Sequence, residues 1–500
     1  MPFVALAFVV LVRTVSSEGA GIPGASTPAG QDEFQAQLDR VLSDPAFEGA
    51  QVGVEAVRCD DGAVVYAREP DLLLNPASNL KLLTSAVALD VLGPAYTFRT
   101  SVLVDGPFED GVVRGNLYLR GEGDPKLVFE GVWKLVKDLQ ARGLRQVEGD
   151  LVADDTFFDR ERLIPDWDRA DRDDEAFPYD ATIGALSVNF NTVALYVRPG
   201  DQVGDPVRVT METPTDYVQV ECHATTGGSR TRPVLQFLRG PSSAGRETLT
   251  LSGSLPLGVS GFRFHRTVRD PVRFALAVFS ELMAREGIEV KGRTRQGRVP
   301  AGAEELVHRD SEPLGILLRY MNKLSSNFIA EQVLKTLGAE VLGAPGTTEK
   351  GLRVVREFLA REELPWESSV LFNGSGLSEH TRVSPHQLTS LLCHVWQDPR
   401  IRSDFVASLP IAGVDGTMRR RMQGTPAAGL LRAKTGSVRG VFGFSGYLWT
   451  GTGEAIAFAF LVNDFRNGVR SIKEAQDRWA NVMVSGEVGE PPTTGMAKKE

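Results

Sequence analysis

Ser78 and Lys81 stand three residues apart in a segment, 75–92, that reads as a helix, with Pro76 suited to its first turn and Gly93-Pro94 to its stop. That spacing puts both side chains on one face. A serine hydroxyl is a poor nucleophile until a base takes its proton, and a desolvated, neutral lysine can do so. Two further groups could complete such chemistry. Lys434-Thr435-Gly436-Ser437 follows a predicted strand over 430–433. A lysine and hydroxyls there can hold a carboxylate, and the glycine lets a substrate backbone lie close. Ser325-Ser326-Asn327 opens a predicted helix, where a hydroxyl and an amide can face a cleft. Each group also has a plain reading: a serine near a helix start beside an exposed lysine, a helix cap, a polar strand end with a turn glycine. Ser187-Val188-Asn189 repeats the S-x-N pattern between predicted strands and ranks below Ser325. S-x-x-K and K-T-G each occur once in 500 residues.

Attack on an amide carbonyl needs an activated nucleophile, a proton donor for the leaving amine and a pocket for the developing oxyanion. It needs no histidine, and the six here (His223, His265, His308, His380, His386, His394) lack H-x-H or H-x-x-x-H spacing. The three cysteines, Cys59, Cys222 and Cys393, have no C-x-x-C spacing. No metal and no cofactor is called for. One disulfide fits an oxidising compartment, but the sequence does not pick the pair.

The elements that must position these residues read as follows. Predicted strands flank Asp60-Asp61-Gly62 over 50–66, then comes the Ser78 helix. From about 98 to 265 short β-branched runs alternate with Gly, Asp and Pro, with one helix at 128–143 and a charged loop at 162–179. Helices return at 270–287, where Asp270 can cap and Pro271 fits the first turn, and continue through 312–321, 327–337, 347–360, 385–397 and 401–408. Strands at 430–434, 441–448 and 455–462 and a helix at 469–483 close the chain. The expected fold is α/β (α+β), with two early and three late strands in one antiparallel five-stranded sheet flanked by helices. A large β-rich insert of one or two subdomains interrupts it. The expected division is 1–30 signal peptide and lead-in, 31–98 first catalytic part, 99–265 insert, 266–484 second catalytic part and 485–500 disordered tail. Residues 3–12 match a secretory h-region and are too short to span a bilayer, so export is expected, although no Lys or Arg precedes them. A net charge of −9 gives no reason to expect nucleic acid or an anionic membrane as partner, and peripheral membrane contact is left open.

S-x-x-K, S-x-N and K-T-G in that order form the motif set of β-lactamases and penicillin-binding proteins. Together with 75–84, 149–154, 373–378 and 408–418, they make residues 31–483 resemble the D-alanyl-D-alanine carboxypeptidase/endopeptidase family of class C, low-molecular-mass penicillin-binding proteins. The large insert is also a family trait, whereas a β-lactamase has a much shorter segment there. The resemblance implies a serine-type DD-peptidase acting on peptidoglycan stem peptides outside the cytoplasm, with β-lactams as covalent inhibitors. Ser78 would be acylated and Lys81 would be its base. Ser325 would relay the proton and Asn327 would hold the substrate amide. Lys434 and Thr435 would bind the terminal carboxylate with help from Ser437, where relatives often carry threonine after Gly436. The backbone N–H groups of Ser78 and Ser437 would form the oxyanion hole. An acidic insert residue would read the substrate side chain, and Asp154 is the candidate. The alternatives are a β-lactamase or esterase on the same scaffold, and a non-catalytic peptidoglycan-binding protein.

Overall fold

Two strands before the Ser78 segment and three at the end of the chain meet in one sheet. In the computed structural model, which describes residues 28–167, 178–213, 215–240, 245–466 and 468–485, β1 (Gln51–Arg58) and β2 (Val64–Arg68) precede Ser78. β3 (Leu431–Val438), β4 (Val441–Trp449) and β5 (Ala455–Asn463) follow. The order is β3-β4-β5-β1-β2 and every pairing is antiparallel. The expected five-stranded sheet is present. β3 runs through Lys434-Thr435-Gly436-Ser437 rather than stopping before it, because Lys434 pairs with Ser445 and Ser437 with Phe442.

Both faces of the sheet are covered. On one, α1 (Pro28–Leu42) and α10 (Val469–Ser485) bury Leu38, Val41, Ile472, Ala475 and Trp479 against Val54, Ala56, Phe444, Phe458 and Phe460. The Trp479 ring meets those of Phe458 and Phe460 at 5.7 and 5.6 Å. On the other lie α2 (Lys81–Val91), α5 (Leu314–Leu324), α6 (Asn327–Leu342), α7 (Thr348–Arg361), α8 (Pro385–Gln397) and α9 (Arg402–Ser408). They share a core with Tyr447, Ala457, Ala459 and Leu461. Helix α2 is buried on every side from Lys81 to Leu89, which explains its near-continuous apolar sequence.

The rest forms a separate core. Strands Arg99–Val104, Leu117–Gly121, Leu151–Asp154, Thr294–Gln296 and Glu304–Asp310 make a second five-stranded sheet. Helices α3 (Phe129–Ala141) and α4 (Pro271–Arg285) pack against it through Leu135, Val136, Leu139, Phe274, Val278 and Phe279. Smaller sheets carry Thr192–Arg198 and Glu247–Pro256. Asp270 caps α4 as expected, accepting from the N–H groups of Val272 and Arg273. The segment 266–310 does not join the second catalytic part, however. Its helix lies in the insert's core and its last strand pairs with Arg99–Val104, Arg99 opposite Asp310. The expected signal segment, most of the lead-in and nearly all of the tail fall outside the described residues. Among the described residues no helix is long and apolar enough to cross a membrane.

Candidate active site

Ser78 lies in a 3₁₀ turn, Ala77–Leu80, that leads directly into α2. Ala77 has φ +46°, a costly conformation for a residue with a Cβ, so its surroundings must impose it. Asn75 does much of this. Its Oδ1 accepts from Ala77 N at 2.8 Å and its Nδ2 donates to Ser378 O at 2.8 Å. Asn463 on β5 accepts from Asn75 N at 2.8 Å. Gly376, at φ +75°, packs so closely that a Cβ would lie 1.9 Å from Ala77 O. The turn is held from three directions before Ser78 is reached.

Lys81 Nζ lies 2.8 Å from Ser78 Oγ, and it donates to Asn327 Oδ1 at 2.7 Å and to Ser375 O at 2.6 Å. Burial lowers this amine to about 7, while the negative charge of Glu331 pulls it back up. An amine with that value is neutral over much of the physiological range. Ser325 closes α5 in the left-handed region at φ +57°, and Ser326 caps α6, its Oγ accepting from Ile329 N. This break between helices turns Ser325 Oγ to within 2.8 Å of Lys434 Nζ. Lys434 is fully buried, and burial, then the charge of Lys81, holds its amine well below the usual lysine value. Asn327 Nδ2 donates to Tyr179 O at 2.9 Å, so its Oδ1 is the end that faces Lys81.

Strand β3 brings the third group. A Cβ on Gly436 would lie 2.6 Å from Ser78 N and 2.9 Å from Pro76 O, so only glycine lets the strand edge approach the Ser78 backbone. Thr435 Oγ1 donates to Thr417 Oγ1 at 2.8 Å. The loop carrying Thr417 is anchored by Asp415, which takes an ion pair from Lys323 at 2.7 Å. Ser437 is exposed beyond them.

Hydrogen bonds therefore join Ser78, Lys81 and Asn327 in one group and Ser325 and Lys434 in another, the charge of Lys81 reaches Lys434, and Thr435, Gly436 and Ser437 follow along the same strand edge. Asp154 is not brought into this group. Its oxygens accept from Thr156 N, Thr156 Oγ1 and Val299 N at 2.9, 2.7 and 2.7 Å, a structural tie inside the insert, and it is 2% exposed. It lines a cavity of about 1360 Å³ with Arg120, Arg162 and Arg298. The competing Ser187 and Asn189 are also structural: Ser187 Oγ donates to Gly184 O, and Asn189 joins Phe129 N to Thr213 Oγ1. Sequence reasoning gave no role to the Ser375 carbonyl, Glu331, Thr417 or the Tyr179 carbonyl. The segments holding Ser375 and Thr417 were visible as motifs; nothing marked Glu331 or Tyr179.

The model of the D-Ala-D-Ala carboxypeptidase 3 (S13) family matches residues 34–483. A D-alanyl-D-alanine carboxypeptidase of Actinomadura sp. (strain R39) is 38% identical over 451 residues, 87% of this chain and 82% of that one. The D-alanyl-D-alanine carboxypeptidase DacB of Haemophilus influenzae is 26% identical, covering 84% of this chain and 87% of its own. Among solved structures, penicillin binding protein 4 (dacB) from Haemophilus influenzae superposes with a TM-score of 0.75 at 25% identity, covering 88% of this chain and 94% of that one.

Proposed function

The chain belongs to the D-Ala-D-Ala carboxypeptidase 3 (S13) family, and from that premise we propose that Ser78, Lys81, Ser325, Asn327 and Lys434 carry out its reaction. The protein is a serine-type D-Ala-D-Ala carboxypeptidase, a hydrolase. Lys81 takes the Ser78 proton as Oγ attacks the carbonyl of the penultimate D-alanine. The backbone N–H groups of Ser78 and Ser437 stabilise the oxyanion, a reading supported by the close approach of β3 to Ser78 N. The C–N bond breaks as the leaving D-alanine nitrogen gains a proton through Ser325, which leaves an ester on Ser78. Water then hydrolyses the ester, with its proton returning through the same amine and hydroxyls. Lys434, Thr435 and Ser437 hold the substrate's terminal carboxylate, and Asn327 its amide. Peptidoglycan stem peptides are the substrates, in an extracytoplasmic location, and β-lactams acylate Ser78 as substrate mimics. Residues 99–310 form the insert that frames this site.

The observation that carries this reading is the position of Lys81 Nζ. It is fully buried, 2.8 Å from Ser78 Oγ, and it titrates near 7. A fluorescent penicillin is expected to label the purified protein, and Ser78→Ala to abolish labelling while the melting temperature holds. Labelling that survives in Ser78→Ala would remove the assigned nucleophile. Mass spectrometry of products from defined peptidoglycan fragments then separates loss of terminal D-alanine from cleavage of cross-links.

A further inference from the structure

Helix α6 presents Asn327, Glu331 and Lys335 at intervals of four residues, one above another on a buried face. Asn327 meets Lys81, and Lys335 is paired with Asp159 at 2.6 Å. Glu331 lies between them, 1% exposed, and its carboxylate turns to backbone instead. Both its oxygens lie 3.2 Å from Gly374 N, and Oε1 accepts from Ser375 N at 2.8 Å. The same turn reaches the catalytic helix from its other side. Ser375 O accepts from Lys81 Nζ at 2.6 Å, and Gly374 O accepts from Thr84 Oγ1 at 2.7 Å. The backbone of one residue, Ser375, thus separates a buried carboxylate from the buried amine.

Holding the turn does not require a charge, because a glutamine oxygen could accept the same N–H groups. A buried carboxylate is costly unless it is hydrogen-bonded and faces a cation. Here the two N–H donors supply the first condition, and Lys81 supplies the second when it takes the serine proton. Burial raises Glu331, and the Ser375 side chain, the two N–H groups and the Lys81 charge offset part of that rise. Among the described residues, the ionisable groups facing Lys81 are Glu331 from α6 and Lys434 from β3; its other neighbours are Ser78, Asn327 and the Ser375 carbonyl.

We infer that Glu331 is a positioning residue for acylation: its carboxylate fixes the Gly374-Ser375 turn that aims Lys81 Nζ at Ser78, and its charge balances the ammonium formed when Lys81 takes the serine proton. The inference rests on the reading of Lys81 as the base. Without that charge the amine is a weaker base. It stays neutral to lower pH but accepts the proton with less driving force.

The test is the second-order rate constant for acylation by a fluorescent penicillin across pH 5 to 9, measured for wild type, E331Q, E331D and E331N, with melts to establish folding. In wild type the acid limb is expected near pH 7. In E331Q it is expected to move down by about one pH unit, as for a charge several ångströms away through protein, while the plateau falls roughly tenfold. E331D and E331N have side chains of equal size, so a lower limb in E331N than in E331D isolates the charge, and this pair decides the matter if E331Q does not fold. A limb at the same pH in the charged and neutral variants would reduce Glu331 to a strut and overturn the inference, as would an unaltered E331Q profile. Lys81→Met run beside them tests the underlying reading: acylation at the wild-type rate would remove Lys81 as base. A dead Lys81→Met with an unmoved E331Q limb removes only the role given to the Glu331 charge.

Discussion

At the scale of single residues, the site depends on amines kept where amines are poorly tolerated. Lys81 and Lys434 are both fully buried, and each is depressed chiefly by burial. The linkage to stability follows from the direction. Lys81 drops from an ordinary 10.5 to about 7, so between these values the unfolded chain holds a proton that the folded one lacks. Stability therefore rises with pH across that window, and below it the folded state bears the whole cost of a buried ammonium. Replacing Lys81 by methionine removes the dependence. Urea melts at pH 7 and pH 10 are expected to show wild type gaining on Lys81→Met by on the order of 3 kcal/mol, since each tenfold loss of proton affinity is worth about 1.4 kcal/mol. The Lys434 contribution is present in both chains and largely cancels. A gap that is constant with pH, or that closes in the other direction, would mean that Lys81 is not depressed. The same burial that destabilises the fold keeps a neutral amine next to Ser78, as the proposed mechanism requires.

At the scale of elements, the break between α5 and α6 shows how local structure serves chemistry. Ser325 adopts φ +57°, a region that costs most residues about 1 kcal/mol or more and costs glycine little. Ser325→Gly and Ser325→Ala both remove the hydroxyl that meets Lys434, so both are expected to lose turnover of D-alanyl-D-alanine peptides. Only the glycine relieves the backbone. It should be more stable than the alanine by about 1 kcal/mol in chemical denaturation, and equal stability would show that the left-handed conformation is not strained. Much at this scale was legible. Asp270 with Pro271 announced α4 through capping chemistry, and the strands expected over 50–66 and 455–462 lie where β1, β2 and β5 do. The end of β3 was not, because Lys434-Thr435-Gly436-Ser437 is polar and glycine-bearing while its pairing with β4 is a tertiary matter. The motif residues were legible because each group is local in sequence. Glu331, Ser375 and Tyr179 were not, since they act through backbone atoms or across hundreds of residues.

At the scale of the whole molecule, the misplaced boundary has a simple origin. The apolar stripe of α4 says that the helix is buried but not against which core, and its partners lie in the insert. The strand Glu304–Asp310 pairs with Arg99–Val104, so the insert leaves beside the point where it enters. Ser311 N donates to Phe98 O at 2.9 Å, and Ser311 Oγ accepts from Phe98 N at 3.0 Å. A short glycine linker from Phe98 to Ser311 can therefore replace 99–310 without moving either end. Ser78, Lys81, Ser325, Asn327 and Lys434 to Ser437 all lie outside that span, yet the insert reaches the site beside α6. Tyr179 O receives Asn327, Gly184 O receives Gln332, Asp159 pairs with Lys335, and Asp166 binds Ser378 and His380 beside the Ser375 turn. These contacts tie Asn327 and the Ser375 turn to the insert; on the proposed mechanism a peptide needs Asn327 for its amide, whereas acylation by a β-lactam needs Ser78 and Lys81. The deletion is expected to melt lower and still be acylated at Ser78 by penicillin, and to lose D-alanine release from a pentapeptide stem by a much larger factor. Equal losses in the two assays would show that the insert supports the fold of the site and takes no part in choosing the peptide.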